Sequence, residues 1–214
     1  MKKIHFLFAL LFISLSSFAG GNEKYQQIMG KTLSGYAEAR SPQDFQALAN
    51  RFDRIAKAEK EEWLPRYYHA PCLIIQSFIT SEGPERKDEI LDLAEQSLKE
   101  VMDLVPEESE AYALQAFFYT ARLTVDPGTR GMEYSMLSNQ SIGKSLRYDP
   151  ENRRARYLKI ANDMGAAPFF GKDPAAYCPD ANALYEAWDE VQAPSPLHPS
   201  WGKRDLKELM SSCN

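Results

Sequence analysis

Three prolines recur at a fixed spacing along the chain. Pro106, Pro150 and Pro194 lie 44 residues apart, and each closes an apolar, helix-forming stretch. The first two have matching neighbours, in Leu104-Val105-Pro106-Glu107 and Tyr148-Asp149-Pro150-Glu151. A fixed period of this size is typical of stacked helical hairpins, in which no single unit can bury its apolar face alone. The spacing therefore predicts an all-α repeat architecture.

Helix signals cover nearly the whole chain, and no run of alternating strand residues appears. Ser41 and Pro42 form a helix start, with Ser as the N-cap and Pro in the first turn. Phe45, Leu48 and Phe52 follow at spacings of three and four, which places them on one helix face. Helices are predicted over 22–40, from Pro42 through Ile55, over 63–79, through Leu91 to Val101 with an end before Pro106, and over 108–124, 133–148, 151–164, 181–191 and 203–212.

The first residues have the three-part pattern of a secretory signal peptide. Lys2 and Lys3 precede an apolar run from Ile4 to Leu15, and Ser17-Phe18-Ala19 offers small residues at a cleavage site. The run is shorter than the roughly 20 residues needed to cross a bilayer, although an uncleaved N-terminal anchor remains the alternative. We expect residues 1–19 to be removed, a single domain over 20–214, no membrane span in the mature chain, and a periplasmic or secreted protein.

Charge argues against two classes of partner. Loss of Lys2 and Lys3 leaves 23 basic and 30 acidic residues, a net charge of −7. These charges alternate along the predicted helices. Nucleic-acid binding needs a basic stripe, which is absent, and the same distribution disfavours an anionic membrane surface.

The cysteine count is odd, and export makes disulfides possible. Cys72 falls inside an apolar helix, where it takes the position that Ala116 occupies one period later, so we expect a small core residue. Cys178 and Cys213 are the plausible pair, because their bond would pin the C-terminal tail to the last hairpin.

The order of helix A, loop, helix B and proline resembles the tetratricopeptide repeat. Tyr112, Ala116 and Tyr119 match its aromatic, small and aromatic positions, and Ala94 and Leu98 match helix B. The resemblance covers roughly residues 42–192. The period of 44 exceeds the family's period of about 34. We expect the extra residues in the A–B loops, over 80–87, 124–133 and 165–174.

The chain also looks like a group of exported, divergent tetratricopeptide-like proteins of Gram-negative bacteria. The segments that carry this likeness are 63–68, 125–131 and 198–203. The resemblance implies a short right-handed α-solenoid of helical hairpins, closed by a C-terminal cap helix.

A concave groove lined by helix A positions is a further implication of the resemblance. By register these positions are Arg66, His69, Gln76, Glu110, Phe117, Thr120, Arg154 and Tyr157. Arginines can hold carboxylates and aromatic rings provide contact area, so the set suits an extended peptide. The alternative is that the aromatic residues pack between helices while the charges are only solvated.

Two of the expected loops carry further candidates. Arg130 could reach an anionic ligand, but we favour its pairing with a helix carboxylate. Phe169 and Phe170 either anchor their loop in the core, which we favour, or form an exposed contact. The main hypothesis is a non-enzymatic scaffold for a protein or peptide partner. The alternative is a small-molecule binding protein, with a cavity lined by Tyr157, Phe169 and Arg130.

Catalysis has little support. The sequence has no His-Glu-x-x-His or Cys-x-x-Cys motif, no phosphate-binding glycine loop and no Gly-x-Ser-x-Gly elbow. His69 and Cys72 have a spacing that could bring a Cys–His pair together, but a buried apolar site would leave the thiol inert. We therefore expect no enzyme activity, no cofactor and no metal site.

Overall fold

The computed structural model describes the backbone of residues 16–213 and the side chains of residues 23–213. Nine α-helices occur in this part of the chain. They are α1 (Ser16–Glu38), α2 (Pro42–Ala58), α3 (Trp63–Ile79), α4 (Pro84–Leu104), α5 (Ser109–Val125), α6 (Pro127–Tyr148), α7 (Arg153–Ala166), α8 (Cys178–Glu186) and α9 (Lys203–Met210). Short 3₁₀ turns cover Ala167–Phe170, Pro174–Tyr177, Ala187–Asp189 and Ser211–Cys213. No strand occurs over 16–213, and the predicted all-α class is confirmed.

Local sequence signals account for several helix ends. The Ser41 hydroxyl accepts a hydrogen bond from the Asp44 backbone N–H, and the Asp44 carboxylate accepts one from the Ser41 N–H, which completes a capping box. Helix α3 has the predicted bounds, 63–79, and continues through Pro71 inside it. Asn152 caps α7 through its side chain.

The expected long A–B loops are wrong for the first two hairpins. Helix α4 begins at Pro84 and α6 begins at Pro127, so the chain turns sharply between paired helices. The Asp126 carboxylate accepts hydrogen bonds from the Thr129 N–H and hydroxyl, which starts α6 at once. The additional residues of the 44-residue period therefore lengthen helix B, to 21 residues in α4 and 22 in α6.

The helices pack as successive antiparallel neighbours. Helix α3 also contacts α5, and α5 contacts α7, so these three form a continuous layer. Helices α2, α4 and α6 have no comparable contact with one another. Such packing brings one face of α3, α5 and α7 together, and we call it the inner face.

The core has two main parts. The larger apolar cluster joins α1 to α5 and contains Phe52, Tyr67, Leu91 and Phe118. A second cluster, with Ile160, Leu184, Trp188 and Leu206, joins α7, α8 and α9. The structure contains a disulfide between Cys178 and Cys213, the pair favoured by the sequence, and this bond ties the C-terminus to the start of α8.

The predicted signal peptide lies mostly outside the described residues. Its basic start and apolar run, residues 1–15, are not described, and its last residues, 16–19, form the first turn of α1. Removal of residues 1–19 stays a prediction. Among the helices from Ser16 onwards, none is long and apolar enough to cross a membrane.

Candidate ligand-binding site

The inner face is already covered by part of the same chain. Residues 191–202, which we call the strap, run between Asp189 and α9 and cross α3 and α5. The Tyr68 hydroxyl donates to the Leu197 carbonyl at 2.9 Å, and the Trp201 indole N–H donates to the Tyr67 hydroxyl at 2.8 Å. The ring of His198 packs edge-on against Trp63. These contacts join residues far apart in sequence.

The strap ends at a tight approach. Gly202 has φ +104°, a conformation that L side chains rarely adopt. A Cβ atom there would lie 2.9 Å from the Trp188 ring and 3.5 Å from Cγ of Arg154. Glycine at this position therefore lets the end of the strap approach Trp188 and Arg154 closely.

Two of the predicted groove residues are buried under the strap and bind each other. Arg154 donates from Nε and Nη2 to both carboxylate oxygens of Glu110, and both side chains are buried. The Asn152 amide supports Glu110 at 2.9 Å. Neither Glu110 nor Arg154 forms an open peptide-binding surface, because each charge is compensated internally.

The three predicted groove residues on α3 do not share one surface, because each lies in a different environment. Arg66 pairs with Glu100 at 3.1 Å, and His69 Nδ1 lies 2.6 Å from the Ser97 hydroxyl. Burial lowers the pKa of His69 below its ordinary value. Gln76 lines a cleft of about 630 Å³ between α2, α3 and α4, and its Oε1 is buried without a hydrogen-bond partner in the described chain.

The remaining groove residues lie on α5 and α7. The Thr120 hydroxyl donates back to the Ala116 carbonyl, while Phe117 contacts two other aromatic rings. Tyr157 packs against the C-terminal apolar cluster, where burial raises its pKa. The expected set is thus divided between the interior, surface pairs and an aromatic contact.

The candidates from the expected loops, Arg130, Phe169 and Phe170, lie in different surroundings. Arg130 donates to both carboxylate oxygens of Asp88 at 2.7 Å, the carboxylate pairing favoured above, and this contact lowers the pKa of Asp88. Phe169 and Phe170 are 87% and 75% exposed, so the expected anchoring of their loop in the core is wrong. Four clefts along residues 23–213 have other linings, and none of these four joins Tyr157, Phe169 and Arg130.

A row of three aromatic rings lies where the strap meets the inner face. Phe78 and Phe117 have ring centroids 5.7 Å apart, and Phe117 stacks on Trp201 at 5.5 Å with an angle of 29° between the planes. Phe78 is 37% exposed, while Phe117 and Trp201 are half-buried. We call these residues the aromatic row. Its exposed part, above all Phe78, offers an aromatic contact for a planar ligand.

Sequence reasoning found Phe117 but missed its two neighbours in the row. Phe78 is the second-last residue of α3, outside the register used for the groove. Trp201 lies in a proline-rich extended segment, although a shift of 44 residues aligns it with Tyr157. The alignment of Trp201 with Tyr157 could have indicated an aromatic residue at this place.

Metal-binding side chains are not gathered in the part of the chain that the structure describes. No group of three or more His, Cys, Asp or Glu side chains between residues 23 and 213 could hold a metal ion. Cys72 is fully buried, and burial raises the pKa of its thiol far above the ordinary value. An inert thiol of this kind cannot serve as a nucleophile.

Comparisons with known proteins give one informative likeness. No family model matches the chain, and no curated protein matches it significantly. Among solved structures, the HusA haemophore from Porphyromonas gingivalis is similar, with a TM-score of 0.77 and 26% sequence identity. The match covers 88% of this chain and 92% of that one. It supports the all-α architecture as a whole, while the tetratricopeptide likeness stays a prediction.

Proposed function

We propose that this protein is an exported, non-enzymatic binding protein for a flat, mostly apolar small molecule of the haem type. The observation that carries the proposal is the similarity to a haemophore over nearly the full length of both chains. This likeness favours the small-molecule hypothesis over the peptide scaffold that the groove pattern had suggested. Because Phe169 is exposed and Arg130 pairs with Asp88, we place the ligand on a different surface from the expected cavity.

The aromatic row is the surface that suits such a ligand best. Phe117 and Trp201 stack on each other and are half-buried, and the more exposed ring of Phe78 extends the row toward solvent. A fused ring system that stacks on such rings gains both apolar burial and favourable ring contacts. The ordered strap keeps Trp201 in place, which lowers the conformational entropy that binding would otherwise remove.

Stacking should supply more of the affinity than a histidine–metal bond. The two histidines of the described chain are both engaged, His69 with Ser97 and His198 with Trp63. Neither histidine belongs to the aromatic row. We therefore expect the iron-free porphyrin to bind nearly as well as haem.

The scaffold hypothesis is the second candidate, and one observation favours it. The inner face holds an irregular, proline-containing segment with a turn at 195–198, so the face can bind a non-helical stretch of chain. Because this segment is the strap, a peptide partner would have to displace it. The small-molecule hypothesis needs no such displacement, and we place it first.

Titration of the mature protein with haemin and with protoporphyrin IX tests the proposal. We expect saturable quenching of tryptophan fluorescence by both compounds at a stoichiometry of about one. Phe78→Ala should weaken binding by about two- to tenfold, since an aromatic contact contributes about 0.5–1.5 kcal/mol. Tyr148→Ala is the matched control, because Tyr148 is an exposed aromatic residue of α6 that contacts Tyr112 outside the row.

The absence of saturable binding by either porphyrin would contradict the proposal. Equal weakening by Phe78→Ala and Tyr148→Ala would contradict the placement of the ligand on the aromatic row. Stoichiometric capture of an envelope protein by a variant that lacks the strap, without porphyrin binding by the intact chain, would favour the scaffold hypothesis instead.

A further inference from the structure

We propose a second ligand site, in the cleft between α2, α3 and α4, for a neutral polyhydroxylated small molecule such as a disaccharide. The cleft has a volume of about 630 Å³. Its lining comes from the first turns of α2, the end of α3 with the residues that follow it, and the first turns of α4. None of the lining residues belongs to the aromatic row.

The helix packing leaves this cleft open. Helices α2 and α4 both pack along α3 but have no comparable contact with each other, so a gap remains between them above α3. Gln76 and Ile90 are buried at the bottom of the gap, while Ile79 is 41% exposed at its side. The volume lies within the range of small-molecule sites, and a molecule of about two sugar rings fits it.

Gln76 is a polar group that the protein leaves without a partner in this cleft. Its side chain is 7% exposed, and its Oε1 has no hydrogen-bond partner among residues 23–213. A half-turn of the terminal amide exchanges its oxygen and nitrogen, so the group can present either end to a ligand. A buried acceptor without a partner is unfavourable, and a ligand hydroxyl that donates to it would remove this cost.

One face of α2 supplies three further neutral amides. Gln43, Gln46 and Asn50 follow one another at spacings of three and four, which places them together on the side that lines the cleft. Gln46 Nε2 donates to Asn50 Oδ1 at 3.1 Å. This bond uses one end of each amide, so the Gln46 oxygen and the Asn50 nitrogen can still bind a ligand.

The charges of the lining are already paired. Glu82 and Arg86 are its two charged residues, and Arg86 Nε lies 3.2 Å from Glu82 Oε2. Arg86 also donates from Nη1 to Glu89 Oε2 at 2.7 Å. An anionic or cationic ligand would therefore find no unpaired opposite charge in the lining, which favours a neutral ligand.

These features together define the ligand class. A hydroxyl group both donates and accepts hydrogen bonds, as a side-chain amide does, so a polyhydroxylated molecule matches a lining with four amides. Ile79 and Ile90 supply apolar contact for the C–H faces of a sugar ring. A wholly apolar ligand would instead cover the amides without replacing their bonds to water.

Saturation-transfer difference NMR of the mature protein with maltose, cellobiose and N,N′-diacetylchitobiose tests the site. We expect saturable binding of at least one of these disaccharides. Gln76→Leu should weaken that binding by about two- to tenfold, the factor that one neutral hydrogen bond is worth. The matched control is Gln96→Leu, because Gln96 is an exposed amide of α4 that binds Glu100 outside the cleft.

The thermal midpoint separates a ligand contact from a structural role. Because Gln76 Oε1 has no partner in the unliganded protein, Gln76→Leu should leave the midpoint unchanged or raised. Gln115→Leu should lower it, since Gln115 Oε1 accepts a hydrogen bond from the Ser141 hydroxyl at 2.8 Å. A second variant, Ala47→Met, extends into the cleft from an exposed position of α2 and should weaken disaccharide binding without removing an amide.

Three results would overturn the site: no saturable binding of any of the three disaccharides, undiminished binding by both Gln76→Leu and Ala47→Met, or equal weakening by Gln76→Leu and Gln96→Leu. A loss of stability in Gln76→Leu as large as that in Gln115→Leu would overturn the role of Gln76 as a ligand contact. Because these readouts involve no porphyrin, failure here leaves the haem-type proposal standing, and failure of the porphyrin titration leaves this one standing.

Discussion

Glu110 and Arg154 were expected to line a binding surface, but they form a buried ion pair that belongs to the core of the protein. Both side chains lie beneath the strap, and Asn152 adds a hydrogen bond to the carboxylate. Removing one partner from a buried pair leaves an uncompensated charge in the interior, whereas removing both does not. The pair is therefore expected to show strong energetic coupling.

Glu110→Ala should lower the free energy of unfolding by about 3–5 kcal/mol, because Arg154 would remain buried without its carboxylate. The double variant Glu110→Leu/Arg154→Met should lose much less than the two single changes combined. Urea unfolding followed by circular dichroism measures these values. Glu151→Ala, which breaks the exposed pair with Arg156, should change stability by less than about 1 kcal/mol. Similar losses at Glu110 and Glu151 would contradict the buried pair.

Among the elements, the strap determines what the inner face can bind. Its hydrogen bonds to Tyr67 and Tyr68 and the stacking of Trp201 on Phe117 hold an irregular segment across two helices. The segment has no repeating backbone pattern of its own, so its position depends on these side-chain contacts. Gly202 is the point where it passes closest to Trp188.

Gly202→Ala should destabilise the protein by about 1–3 kcal/mol, since it combines overpacking against the Trp188 ring with an unfavourable φ. Gly30→Ala is the control. It lies inside α1, where an added Cβ would meet nothing within 4 Å, so it should stabilise by about 0.5–1 kcal/mol. Thermal unfolding of both variants checks the expected opposite signs. A neutral Gly202→Ala would show that the strap can shift away without loss.

In the whole molecule, different helices of the chain form two large apolar clusters. The cluster of α1 to α5 is larger, and the one of α7 to α9 is closed by the Cys178–Cys213 disulfide. Since stability is not uniform across a repeat-like array, the smaller cluster should open first. Its opening would also separate Trp201, which lies in the strap, from Phe117 and Phe78.

Cys178→Ser/Cys213→Ser should increase amide exchange in α8 and α9 while α3 to α5 keep their protection. The bond closes a loop of 35 residues, and loops of this size contribute about 2–4 kcal/mol. Hydrogen exchange with mass spectrometry resolves the two regions. Cys72 is buried, so alkylation of the native double variant should also be slow. Uniform loss of protection along the chain would contradict two separable clusters.

Sequence alone determined the helical class, the cap at Ser41, the bounds of α3 and the favoured cysteine pair. Each of these depends on residues within a few positions of one another or on a simple period. The A–B loops were wrong because Asp126 and Pro127 start a helix where glycine-rich sequence favoured a loop, and long helices packed against neighbours outweigh such local preferences.

Only the tertiary structure decided which inner-face residues remain available. The strap bonds join residues 129 and 134 positions apart, and the Glu110–Arg154 pair joins residues 44 apart. No local pattern encodes such contacts, because they depend on how the chain returns after the last helix has packed. The proline period therefore predicted a face made of α3, α5 and α7, whereas the fold filled that face with its own C-terminal segment and left the aromatic row at its edge.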